Sequence, residues 1–135
     1  MANWLFKSEP DAFSWNDLKQ AGAKGSEWTG VRNFAARNNM RAMKKGDRGF
    51  YYHTGDEKQV VGIVEVVNEA HPDSTDSQWE CVDIVAIKPL PKPVTLQQVK
   101  AEKKLADMAL VRISRLSVQP VTDAEWKLVC KMGGL

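Results

Sequence analysis

Runs of β-branched and aromatic residues concentrate in the middle of the chain, around Phe50–Tyr52, Val60–Val67 and Val82–Ile87. They predict three strands, Arg48 to Thr54, Gln59 to Ala70 and Gln78 to Leu90. Thr54-Gly55-Asp56-Glu57 carries turn chemistry and folds the first strand back on the second as an antiparallel hairpin. His71 to Ser77 reads as a polar spacer before the third, and Pro89, Pro91 and Pro93 read as the end of the sheet. A shorter strand at Asn3 to Ser8 places Trp4 and Phe6 on one face, and a last one covers Leu116 to Gln119.

Helices announce themselves by their starts. Ser14 with Asp17, Thr95 with Gln98 and Thr122 with Glu125 each place an acceptor three residues ahead of a capping partner. The first of these helices ends near Gly22 and the last at Gly133, and the one that begins at Thr95 follows the proline-rich stretch. A further helix is predicted from Asn33 to Lys45, stopped by Gly46, after a glycine-rich loop over Ala21 to Gly30. One long β region flanked by helices, with no repeat and no dividing linker, predicts a single α+β domain over residues 1–135.

Composition narrows the function classes. With 43% hydrophobic and 27% charged residues in 135, the chain can bury a core without staples. No long uncharged apolar run suggests a membrane span, and polar Asn3 followed by Lys7 and Glu9 does not suit a signal peptide. Cys81 and Cys130 are far apart and His53 and His71 have no metal-type spacing, so no metal and no disulfide are expected. Reduced buried thiols fit a cytoplasmic protein.

The net charge of +2 conceals an asymmetry. Arg32, Arg37, Arg41, Lys44, Lys45 and Arg48 face Asp47 alone between residues 31 and 48, while the rest of the chain holds 13 basic and 16 acidic residues. On a helix, Arg37, Arg41 and Lys44 fall within roughly 60° of one another, with Lys45 at the edge. Such a stripe is either a solvated face or a surface for phosphates.

Catalytic patterns are weak. Ser8 or Ser117 with His53 and Glu9 has no spacing that demands a triad, and no strained G-x-S-x-G turn is present. Gly22-Ala23-Lys24-Gly25 lacks the spacing of a phosphate loop. Trp28 stands apart from the other tryptophans: it lies in the glycine-rich loop just before Asn33, which can cap the basic helix or offer both amide edges to a base. An indole, an amide and a cationic helix together suit base stacking.

Lys7-Ser8-Glu9-Pro10, Trp28 with Gly30-Val31-Arg32-Asn33, Tyr52-His53, and Ser114 to Pro120 together resemble the EVE domain family, in order and over essentially the whole chain. The resemblance implies a PUA-like mixed β pseudobarrel with peripheral α-helices, similar to PUA, ASCH and YTH domains. It implies a pocket that receives one extruded, modified base, such as a modified cytosine in DNA. By the family pattern Lys7, Ser8 and Glu9 line it, and Trp28, Val31, Arg32 and Asn33 form a second wall. Tyr52 and His53 form a third, and Arg115, Leu116 and Ser117 close it. Arg37, Arg41, Lys44 and Lys45 would meet phosphates. Thr54 and Phe34 stand where the family often has Ser and Tyr.

The expectation is a monomeric, non-catalytic reader of nucleic acid with a modified base, without cofactor and away from membranes. A small-ligand or protein-interaction module, or an enzyme acting on a modified base in the same pocket, are the competing readings.

Overall fold

A computed structural model describes residues 2–135. In chain order its elements are β1 (Asn3–Ser8), α1 (Trp15–Gln20), β2 (Ser26–Glu27), α2 (Phe34–Ala42), β3 (Arg48–His53) and β4 (Gln59–Asp73), then β5 (Asp76–Thr95), α3 (Leu96–Ala101), α4 (Ala109–Arg112), β6 (Val118–Val121) and α5 (Asp123–Met132). The six strands form one mixed sheet in the order β2-β5-β4-β3-β1-β6. Among the described residues, only the β1–β3 pair is parallel. Its end strands do not pair with each other, so this α+β fold is an open pseudobarrel and not a closed barrel.

Strand alternation divides the apolar side chains between two cores. Trp4, Phe6 and Tyr51 point to one face, where Trp28, Met40, Met43, Val82 and Ile84 join them. Leu5, Phe50 and Tyr52 point to the other and meet Val99, Leu105 and Val129 from the C-terminal helices. Phe50 stacks on Trp126 there, with ring centroids 4.0 Å apart. The three capping boxes form as the spacing predicts, each with both reciprocal hydrogen bonds.

Three expectations need correction. The basic helix ends at Ala42, and Met43 turns extended with φ −69° and ψ 146°. Burial of Met43 in the first core draws the chain off the helix axis, and the buried Asp47 carboxylate holds it there, accepting from Lys44 N and Trp4 Nε1, each at 3.0 Å. Lys44 and Lys45 therefore lie beyond the helix, and the continuous stripe is not formed. His71 to Ser77 is no spacer, because β4 and β5 pair to the hairpin tip, with Pro72 opposite Glu80 and Asp73 opposite Asp76. Nor do the prolines end the sheet: β5 runs on to Thr95. Residues 90–93 stand against Val61 alone, between the Pro89–Gly62 and Val94–Val60 pairs. That irregular stretch lets the strand tolerate residues without an N–H.

Candidate functional site

A cavity of about 490 Å³ opens where β1 ends and the loop following β2 crosses it. Ligand sites for small organic groups fall in this size range. Lys7, Ser8, Glu9, Trp28, Val31, Arg32 and Ser117 line it together with Phe13, Glu27 and Gly30. The topology explains the convergence. The ends of β1 and β6 come together as Lys7 N donates to Ser117 O at 2.9 Å, while Trp28 N donates to Val82 O at 2.8 Å and pins the loop to β5.

Trp28 is both core and wall. It is 8% exposed, and its ring meets Phe6 and Tyr51 edge-on, with centroids 5.5 Å away in each case. Tyr51 Oη donates to Phe13 O at 2.8 Å, and burial pushes its hydroxyl up to about 12, so it stays protonated and rigid. Ser8 Oγ donates to Phe13 O at 2.7 Å, which leaves its oxygen lone pairs as acceptors. Lys7 Nζ donates to Ser114 O at 2.7 Å, and burial lowers its pKa from the ordinary lysine value. Glu9 and Glu27 add carboxylates to the lining.

The Trp28–Arg32 segment is held from behind by the tip of the β4–β5 hairpin. Asp73 is buried, and its Oδ2 accepts from Gly30 N at 3.0 Å and from Arg32 Nη1 at 3.3 Å. Its Oδ1 accepts from Thr75 N at 2.7 Å and from the Thr75 hydroxyl. Burial alone would raise this carboxyl, but the donors from Thr75, Gly30 and Arg32 together outweigh it and hold it well below the usual carboxylate range. Gly30 adopts φ +83°, a left-handed conformation suited to glycine.

Five residues named from the sequence do not line the cavity: Asn33, Tyr52, His53, Arg115 and Leu116. Asn33 caps α2, accepting from Ala36 N at 2.9 Å. Tyr52 belongs to the opposite core, because it alternates with Tyr51. His53 is buried beneath the site; its Nε2 accepts from Trp15 N at 3.0 Å and its Nδ1 lies 2.9 Å from Glu57, joining the start of α1 to the end of β3. Leu116 packs in the core behind Ser117, and Arg115 is exposed.

The cationic surface also differs from a plain stripe. Arg41 is paired with Glu80. Arg37 places its guanidinium 4.8 Å from the Phe34 ring centroid and 5.9 Å from that of Trp79. Arg32 lies 5.7 Å from Trp79 on the pocket side. Phe34 and Trp79 pack at a 30° tilt with centroids 5.2 Å apart, and Phe34 is 65% exposed. An aromatic ledge between two arginines thus borders the cavity. Sequence reasoning missed it, since Phe34 and Trp79 are 45 positions apart and meet only through the sheet. Glu27, Phe13 and Asp73 were missed as well; the Asp73-Ser74-Thr75 turn was the one available signal.

With this geometry established, comparison with known proteins decides the family. The family model described as EVE domain matches residues 2–132. The chain belongs to the EVE domain family. Thymocyte nuclear protein 1 of Gallus gallus is 33% identical, the alignment covering 96% of this chain and 68% of that protein. A solved structure of an Agrobacterium tumefaciens protein superposes with a TM-score of 0.98 at 57% identity, covering 100% of this chain and 94% of its own. The human THYN1 protein, solved in complex with 5-methylcytosine-containing DNA, gives a TM-score of 0.93 at 30% identity, covering 100% and 99%. The YTH domain of Zygosaccharomyces rouxii MRB1, solved with N6-methyladenosine RNA, shares the fold with a TM-score of 0.62 at 14% identity, covering 98% and 86%.

Proposed function

We propose that this EVE domain reads a modified cytosine in DNA by receiving the extruded base in the Trp28 cavity. The observation that carries the reading is the convergence of Lys7, Ser8, Glu9, Glu27 and Trp28 on one cavity of base-accommodating size, in a chain similar to one solved with methylcytosine DNA. The lining suits cytosine chemically. Carboxylates and the Ser8 oxygen accept from an exocyclic amino group, and the Lys7 ammonium donates to a carbonyl or ring nitrogen. Thymine presents no amino group and would leave a carboxylate facing an acceptor. A 5-methyl group adds apolar contact with Val31 or Phe13, worth only about 1–3 kcal/mol in discrimination. Extrusion costs a few kcal/mol, and stacking against aromatic side chains offsets about 1–3 kcal/mol of it per base.

Arg32 at the cavity, Arg37 on α2 and, farther off, Lys44 and Lys45 beyond the end of α2 meet the phosphates of a monomeric complex. Neutralising about three phosphates gives a log–log salt slope near ~−3.

Fluorescence anisotropy at two salt concentrations tests this. The probes are matched oligonucleotides carrying cytosine, 5-methylcytosine or 5-hydroxymethylcytosine, with adenine and N6-methyladenine RNA as controls. We expect a gain for modified cytosine that disappears in Trp28→Ala and in Glu9→Gln, the second of which leaves the core intact. Lys44→Ala with Lys45→Ala should weaken every probe alike and flatten the salt slope. Equal binding of all probes by the wild-type protein would overturn the reading.

A further inference from the structure

Beside β2 lies a second group of side chains, of which Glu27 alone also borders the base pocket. Val82 and Ile84 of β5 point into the core with Trp28, so Cys81 and Asp83 point to the other face. The register sets His71 of β4 opposite Cys81 and Glu27 of β2 opposite Asp83. Four potential ligands from three strands thereby share one face, beside a cavity of about 430 Å³. One ligand atom from each lies within 4.8 Å of the others.

We propose that Glu27, His71, Cys81 and Asp83 form a zinc-binding site. The separations are close to those of a tetrahedral shell. Cys81 Sγ lies 3.5 Å from Glu27 Oε1 and 3.8 Å from His71 Nε2, and His71 Nε2 lies 2.9 Å from Asp83 Oδ1. Zinc bonds of ~2.0–2.3 Å require ligand atoms roughly 3.3–3.7 Å apart, so small side-chain rotations suffice.

The histidine is oriented for it. Its Nδ1 faces the Pro72 carbonyl at 3.1 Å, which fixes the proton there and turns Nε2 toward the carboxylate. Both ring nitrogens thus face acceptors: without metal an imidazolium paired with Asp83 satisfies them, and a cation between Nε2 and Asp83 takes the place of that second proton. Thiolate and imidazole select zinc over magnesium or calcium, which take oxygen ligands. On binding, Cys81 Sγ forms a bond to zinc and gives its proton to solvent. No redox step is involved.

The site also has a structural consequence, which rests on the base-reading proposal. Glu27 borders both cavities and directly precedes Trp28, on a strand only two residues long. An ion joining Glu27 to the β4–β5 hairpin holds that pocket wall in place.

The test is equilibrium dialysis of the full chain against zinc chloride with metal analysis, and replacement by cobalt(II) with absorption spectroscopy. One zinc ion per chain and a thiolate-to-cobalt charge-transfer band are expected. Cys81→Ser should remove the band, and His71→Asn should weaken zinc binding by more than about 100-fold. Cys130→Ser should leave both unchanged. Circular dichroism checks the fold of each variant. Asp83→Asn, at a partly exposed position, supplies a second loss of affinity if Cys81→Ser unfolds. Substoichiometric zinc in the wild type, or a cobalt spectrum without the thiolate band, overturns the site. Metal content is independent of DNA binding, so this failure is distinguishable from failure of the base reader.

Discussion

Asp47 shows how one buried carboxylate can set local structure. It accepts from Trp4 Nε1 and from Lys44 N, so it fixes the first strand and the exit from α2 together. Asp47→Ala leaves the buried Trp4 Nε1 and the partly buried Lys44 N without their partner and should cost about 2 kcal/mol, read as a lower urea midpoint with an unchanged slope. Phe34 is the opposite case. At 65% exposure it contributes little to the core, and its tilted packing on Trp79 presents an apolar face beside Arg32 at the cavity. Phe34→Ala should leave the melting temperature nearly unchanged and weaken DNA binding by about 1 kcal/mol, roughly fivefold, for modified and unmodified probes alike. Neither role is visible in the local sequence. Asp47 reads as an ordinary loop acid, and Phe34 gains its meaning only from a partner on a distant strand. Trp28, by contrast, is legible: a tryptophan in a glycine-rich loop must either pack or bind, and here it does the first and lines the cavity as well.

Among the elements, the β4–β5 hairpin does more than extend the sheet. Its tip carries Asp73, which clamps the pocket loop through Gly30 and Arg32. Asp73→Asn loses the charge that these donors face and should reduce stability at pH 7 by about 2 kcal/mol. The pH dependence has a definite sign. The Asp73 carboxyl is held below its ordinary value in the folded protein, so its contribution is complete above the unfolded value of ~3.9. That contribution is lost as pH falls through the folded value, and the difference in melting temperature between wild type and Asp73→Asn should close over the same acidic range. The hairpin tip was read as a polar spacer because His71 to Ser77 shows no alternation of its own. Cross-strand pairing, not local pattern, keeps it extended. The helix starts were readable for the converse reason: a capping box is complete within four residues, and all three form.

At the scale of the whole molecule, the sheet order brings the ends of β1 and β6 and the β2 loop to one side, although Lys7, Trp28 and Ser117 are widely separated along the chain. The cavity exists because β5 anchors the loop between β2 and α2 through the Trp28–Val82 backbone hydrogen bond, while Phe6 of β1 packs against Trp28. By itself the sequence determined the α+β class, the strand and helix nuclei, the caps, the family, and a set of residues of which seven line one cavity. These depend on short-range periodicity, on hydrogen bonds spanning three or four positions, and on motifs that survive as strings. Tertiary structure alone decided where α2 stops, which face each of Tyr52 and His53 takes, how Arg41 is neutralised by Glu80, and which acids meet His71 and Cys81. Each of those outcomes rests on the register and stacking of strands far apart in the chain. A shift of one residue would turn every such side chain to the other face, and no local pattern encodes which register wins.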